Sequence, residues 1–203
     1  MMRDVPFGIP GLSLLPGDHV CAFYRGGSER DEMLLPYLAE GLRAGEKCIC
    51  VVDASDPGAV LTSLGGEVDV GCHLAEHRLE MFTSEEAYLR KGRFAPASIL
   101  EFWDGAIAAA LGPEEFTFVR VVGEMSWALR GLPGSEELFA YEADLNRFAL
   151  RYPQVLLCLY DLERFGGEIL VDVLKTHPKI LVDGFVIENP YYLEPDQFLV
   201  ARV

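Results

Sequence analysis

A chain of 203 residues, half of them hydrophobic, is long enough for one α/β domain with a full core, which excludes a disordered or fibrous protein. A formal net charge of -15 with no basic run argues against direct nucleic-acid binding, because neutralising phosphates needs clustered cations. No apolar run reaches the ~18 residues that span a bilayer, and five cysteines, odd in number and mostly in apolar surroundings, read as reduced thiols, so a cytoplasmic protein without disulfides or membrane contact is expected.

Residues 1–16 are set apart as an N-terminal arm, and residues 17–183 as the domain proper. Val20 to Tyr24 reads as a first strand, followed by a Gly-rich turn and a helix from Ser28 to Ala44. The helix is opened by a Ser28-x-x-Asp31 cap and carries Leu34, Leu38 and Leu42 on one face, with Gly45 as its stop. Lys47 to Asp53 is a continuous apolar run and therefore a buried parallel strand, reached by a right-handed crossover. Asp56 to Leu64 reads as a short helix, Arg78 to Phe82 as an alternating or edge strand, and Ser84 to Lys91 as a helix. Ala97 to Leu111 is a helix that turns Phe102, Trp103 and Ile107 to a core.

Phe116 to Val122 follows as a central strand, Ser135 to Tyr152 as a long helix and Val155 to Tyr160 as another strand. The helix from Glu168 to Thr176 is ended by His177-Pro178, and Ile180 to Val182 adds a further strand. Such alternation predicts an α/β fold with a mostly parallel central sheet flanked by helices. Residues 184–203 change character: Pro190 and Pro195 preclude a helix through the segment. Its aromatic side chains predict a strand or arm that packs on its own domain or on a second copy, the latter giving a homo-oligomer.

The first strand, Gly-rich turn and long helix stand where a phosphate-binding loop would sit. A Walker A motif needs Lys and then Ser or Thr after its last glycine, whereas Gly27 is followed by Ser28, Glu29 and Arg30. Glu29 and Asp31 suit the positive end of the helix dipole and oppose a polyphosphate that would want the same amides. Weak ATP binding without hydrolysis is the expectation.

Several separated motifs together resemble the MEDS family, a sensory domain of methanogen and methylotroph regulators. They are His19-x-Cys21-x-Phe23-Tyr24, Tyr37-Leu38-x-x-Gly41-Leu42-x-x-Gly45-Glu46, Gly123-Glu124-Met125-Ser126-Trp127-Ala128, Tyr141-Glu142, Leu157-Cys158-x-Tyr160-Asp161 and Thr176-His177-Pro178. The resemblance implies a role in signal transduction or transcription regulation, sensing simple hydrocarbon derivatives, usually with a fused output module. No helix-turn-helix is recognisable before Gly17 and no output domain after Val182, so a separately encoded regulatory partner is expected. More distantly the chain resembles RecA-like and circadian-clock ATPases, which implies a P-loop NTPase-like fold with degenerate Walker motifs. The strand ending at Val122 runs into Gly123 rather than a Walker B Asp, and no catalysis is carried over.

In an open α/β sheet ligands sit beyond the carboxyl ends of the strands. His19, Cys21, Tyr24, Glu124, Trp127, Tyr160 and Asp161, with His177 nearby, are therefore expected to line one pocket for a small, partly apolar molecule. His19 and Cys21 share a strand face and could grip a ligand, hold a metal with further groups, or simply pack; no metal or cofactor is assigned. Cys48 and Cys50 read as core, and Cys72-His73 with His77 as a surface segment. No nucleophile elbow or zinc-protease helix is present, so the domain is expected to be non-catalytic. The alternatives are a nucleotide-binding or enzymatic RecA-like protein with an altered loop, and a pure protein-interaction module.

Overall fold

The computed structural model describes residues 4–53, 56–113 and 115–201. A two-stranded antiparallel ribbon, β1 (Val5–Pro6) and β2 (Ser13–Leu14), is followed by β3 (His19–Tyr24), α1 (Gly26–Arg43), β4 (Lys47–Val52), α2 (Pro57–Leu64) and α3 (Val70–Ala75). Next come β5 (Leu79–Thr83), α4 (Ser84–Ala87), α5 (Pro96–Leu111), β6 (Val119–Glu124), α6 (Leu138–Ala149) and β7 (Gln154–Asp161). The described chain ends with α7 (Gly167–Thr176), β8 (Lys179–Val182), β9 (Phe185–Glu188) and α8 (Pro195–Ala201).

The main sheet runs in the order β5-β4-β6-β7-β3-β8-β9, parallel throughout except for the antiparallel pair β8-β9. Every residue of β3, β4, β6 and β7 is buried, as strands covered on both faces must be, and the charged groups among them are paired inside, Arg120 with Glu46. Side chains alternate across the sheet. Val20, Ala22 and Tyr24 face α1 and α2, whereas Cys21 and Phe23 face the core built with α5, α6, α7 and Phe198 of α8.

The element boundaries differ from expectation where local chemistry decides them. Gly26 takes φ 66°, so β3 turns into α1 across Arg25 alone, and the helix begins before Ser28, whose hydroxyl is not the cap. The helix foreseen over Ser84 to Lys91 stops after one turn, with a Thr83-Glu86 capping box at its start and Lys91 at φ 61° beyond its end. Phe116 bonds back to Ala110 O instead of joining β6. The long helix from Ser135 opens as a 3-10 turn and stops at Ala149, ahead of Pro153. The segment after residue 183 is partly regular: Asp183-Gly184, at φ 48° and 77°, makes the two-residue hairpin turn that puts β9 beside β8.

Candidate functional site

Below the sheet, between β3, β7, α6 and the end of α7, lies a fully buried polar cluster. His19 and Glu142 are 1% and 0% exposed, and His177 is 0%. The Glu142 carboxylate is its centre. Its Oε1 accepts from Tyr160 Oη at 2.8 Å, while Oε2 stands 3.2 Å from His19 Nε2 and 3.4 Å from His177 Nε2. Cys158 Sγ lies 3.4 Å from His19 Nε2 and 3.8 Å from Oε2.

The outer nitrogens of both imidazoles are assigned by their partners. His177 Nδ1 is 2.8 Å from Val173 O, which can only accept, so Nδ1 carries a proton and, in the neutral ring, Nε2 is the lone-pair nitrogen. Asn146 donates through Nδ2 to Thr176 O at 2.7 Å, which turns its Oδ1 to His19 Nδ1 at 3.1 Å and makes that nitrogen a donor too. Burial, reinforced by His177, lowers the His19 pKa and disfavours its charged form. Burial acts to raise Glu142, but a proton on the facing nitrogen of His177 or His19 outweighs it, and in that state the carboxyl is held well below its usual range. Burial and then the charge of Glu142 push the Cys158 thiol and the Tyr160 phenol up.

An aromatic chamber adjoins the cluster. Tyr88, Trp103, Val121, Gly123, Tyr141, Leu145 and Cys158 surround a void of about 10 Å³, the room of about one water. Trp103 donates to Tyr141 Oη at 2.9 Å. Tyr88 also lines a solvent-open cleft of about 620 Å³ formed with Arg90, Lys91, Arg93 and Phe102, so it borders both spaces.

The carboxyl edge of the sheet is organised differently. Glu124, at the end of β6, accepts from Tyr24 Oη at 3.1 Å and from the Asp53 backbone N–H at 2.7 Å, with Arg30 Nη1 3.7 Å away. Asp53 in turn is bound by Ser84, Ser126 and Arg130. At the start of α1 the Arg25 N–H is bonded to Glu29 Oε2 at 2.6 Å, and Asp161 Oδ1 faces the Gly26 N–H at 3.5 Å. Carboxylates of the chain itself stand where a phosphate would be bound.

The family model for the MEthanogen/methylotroph, DcmR Sensory domain matches residues 18–178, which contain both the buried cluster and this edge. The chain belongs to the MEDS family. The transcriptional repressor DcmR of Methylorubrum extorquens is 27% identical over 177 residues, covering 83% of this chain and 61% of the repressor. The chain thus spans about three fifths of that relative's length. A crystal structure of a KaiC-like protein from Pyrococcus horikoshii is similar with a TM-score of 0.63 at 16% identity, over 89% of this chain and 80% of that one. The MEDS domain accordingly has the α/β RecA-like fold. No described helix is long and apolar enough to cross a membrane.

Within the MEDS domain the expected pocket residues do not meet in one place. His19, Tyr160 and His177 come together, with Cys21 on the same face but its thiol turned to Lys179 O at 3.6 Å. Tyr24 and Glu124 meet on the opposite face, because Tyr24 is an odd number of residues from His19 and strand side chains alternate. Trp127 is wholly buried, stacked on Tyr88 at 5.1 Å and against Phe94 at 4.6 Å, with no hydrogen bond to Nε1 among the described residues. Asp161 turns the chain after β7 by accepting from Glu163 N–H. Glu142 and Cys158, the groups that join the two histidines, escaped the list of candidates although both lie inside the motifs. Cys158 sits beside Cys21 in register, two residues before Tyr160, and that parity was the available signal.

Proposed function

We propose that this MEDS domain is a non-catalytic receptor for a small, partly apolar molecule of the simple hydrocarbon-derivative class. In this reading it passes occupancy to a transcription-regulatory output. The observation that carries the proposal is the aromatic void beside the His19-Glu142-His177-Cys158 cluster, which has the apolar walls and few convergent polar groups of a small-molecule site in a space closed down to about one water. A guest larger than one water needs Tyr88 to swing toward the open cleft, which would couple binding to movement of α4 and its flanking loop. The relative's name as a transcriptional repressor supports the regulatory output. Phe185, Ile187 and Tyr191, which stay exposed, offer apolar area for a second copy or a separately encoded regulator.

The test is a titration with dichloromethane, and separately with a short alcohol, read by tryptophan emission and melting temperature. Trp103 lines the void, so its emission should change, and selective binding to the folded state should raise the melting point. Gly123→Ala should weaken the response, because a Cβ there would sit 2.2 Å from Tyr88 Oη, beside the void that both residues line, and force the ring from its place. No change in either signal at millimolar ligand would end the proposal. Magnesium-ATP serves as the control: the one-residue passage from β3 to α1 leaves no loop to wrap a polyphosphate, and no heat of binding is expected.

A further inference from the structure

We propose that His19 Nε2, His177 Nε2, Cys158 Sγ and Glu142 Oε2 form a binding site for one divalent transition-metal ion of the zinc class. The four atoms lie within 4.8 Å of one another, and all four residues are buried. Four of the separations between them are 3.2, 3.4, 3.4 and 3.8 Å. Ligands at zinc's bond lengths of about 2.0–2.3 Å in a tetrahedron stand roughly 3.3–3.8 Å apart, so a metal fits with small adjustments.

The hydrogen bonding points the same way. Both imidazoles spend their only N–H outward, on Val173 O and Asn146 Oδ1, and Tyr160 holds the other carboxylate oxygen. This is the outer shell that orients metal ligands. With both rings neutral, as metal ligation requires, two ring lone pairs, a carboxylate oxygen and a sulfur converge on one point. His177 Nε2 is buried, with Glu142 Oε2 at 3.4 Å as its neighbour in the cluster and no closer hydrogen-bond partner among the described residues. Leaving such a group unsatisfied is costly in a packed interior, and a cation relieves all four acceptors at once.

Ligand chemistry selects the ion. A thiolate with two imidazoles disfavours magnesium and calcium, which take oxygen, and suits zinc or its neighbours. One thiolate and one carboxylate cancel a dication, so the loaded site is neutral, as deep burial demands. Uptake converts the Cys158 thiol to a metal-bound thiolate and releases one proton to solvent. Cys21, bonded through its sulfur to Lys179 O, is not a fifth ligand. The inference rests on the cluster's geometry and not on the sensing reading.

Full-length protein, purified without chelator and then stripped, is titrated with cobalt(II). One equivalent should bind, giving the visible bands of a tetrahedral site and a near-ultraviolet thiolate-to-cobalt transition, and zinc should displace it and raise the melting temperature. Cys158→Ser should remove the thiolate transition, and His177→Gln should weaken cobalt binding at least tenfold. Cys72→Ser, at an exposed thiol beside His73, should change nothing. Absence of cobalt and zinc uptake by the wild-type protein at micromolar metal overturns the proposal whatever the variants do, leaving a shared proton to hold the cluster. A thiolate transition that survives in Cys158→Ser and disappears in Cys72→Ser overturns it equally.

Discussion

Glu124→Ala tests whether the carboxyl edge of the sheet is a structural tie or a ligand site. The carboxylate is 1% exposed and accepts from Tyr24 Oη and the Asp53 N–H, linking the ends of β3, β4 and β6. Hydrogen bonds to a charged acceptor contribute about 1.5–3 kcal/mol each, so losing both should cost about 3–6 kcal/mol. For a domain of this length that lowers the melting temperature by roughly 6–24 °C. Glu124→Gln keeps the shape: its amide oxygen can accept from Asp53, and its NH₂ can donate to the tyrosine oxygen. A loss of about 1–2 kcal/mol is expected there. Thermal melts followed by circular dichroism measure both. An alanine variant that melts within roughly 2 °C of the wild type would refute the structural assignment and return Glu124 to the list of ligand contacts.

Three further outcomes follow from buried chemistry. Arg120→Ala removes a wholly buried guanidinium that donates to Glu46 at 2.6 Å and to Tyr37 O, and should cost about 3–5 kcal/mol in urea unfolding. Pairing Arg120→Met with Glu46→Gln should recover most of that loss, and an unchanged unfolding midpoint in Arg120→Ala would contradict the assignment. Gly41→Ala should be destabilising by about 1–3 kcal/mol, since its Cβ would stand 2.6 Å from Arg120 Cδ; a melt equal to wild type would show that the side chain yields. A disulfide reagent at pH 8 should titrate Cys72 alone in the native metal-free protein and all five thiols after unfolding. Cys21, Cys48, Cys50 and Cys158 are buried, and burial pushes the Cys48 thiol up to about 12.

The order of elements was legible because it is written locally. The apolar run Cys48 to Val52 has the composition of a strand covered on both faces, and Leu34, Leu38 and Leu42 fall on one helical face wherever the rest of the chain lies. The replacement of the Walker lysine was equally visible. Where an element boundary moved, the reason is local: φ 66° at Gly26 starts α1 ahead of Ser28, and the Asp183-Gly184 turn gives the last segment its strand.

The sequence by itself determined that His19 and Cys21 share a face, since alternation is intrinsic to a strand; the same alternation sets Tyr24 on the other face, against the expectation of one shared pocket. Only the tertiary structure decided which face received which helix, and hence that Glu142 and not Glu124 meets the histidines. That choice depends on register: β3 lies against β7 with Cys21 opposite Cys158, and α6 packs so that Glu142 and Asn146, one turn apart, both point under β3. Contacts between residues more than 120 positions apart are set by packing the whole core. A buried carboxylate carries no local mark that separates it from the other acidic residues of a chain with 32 of them.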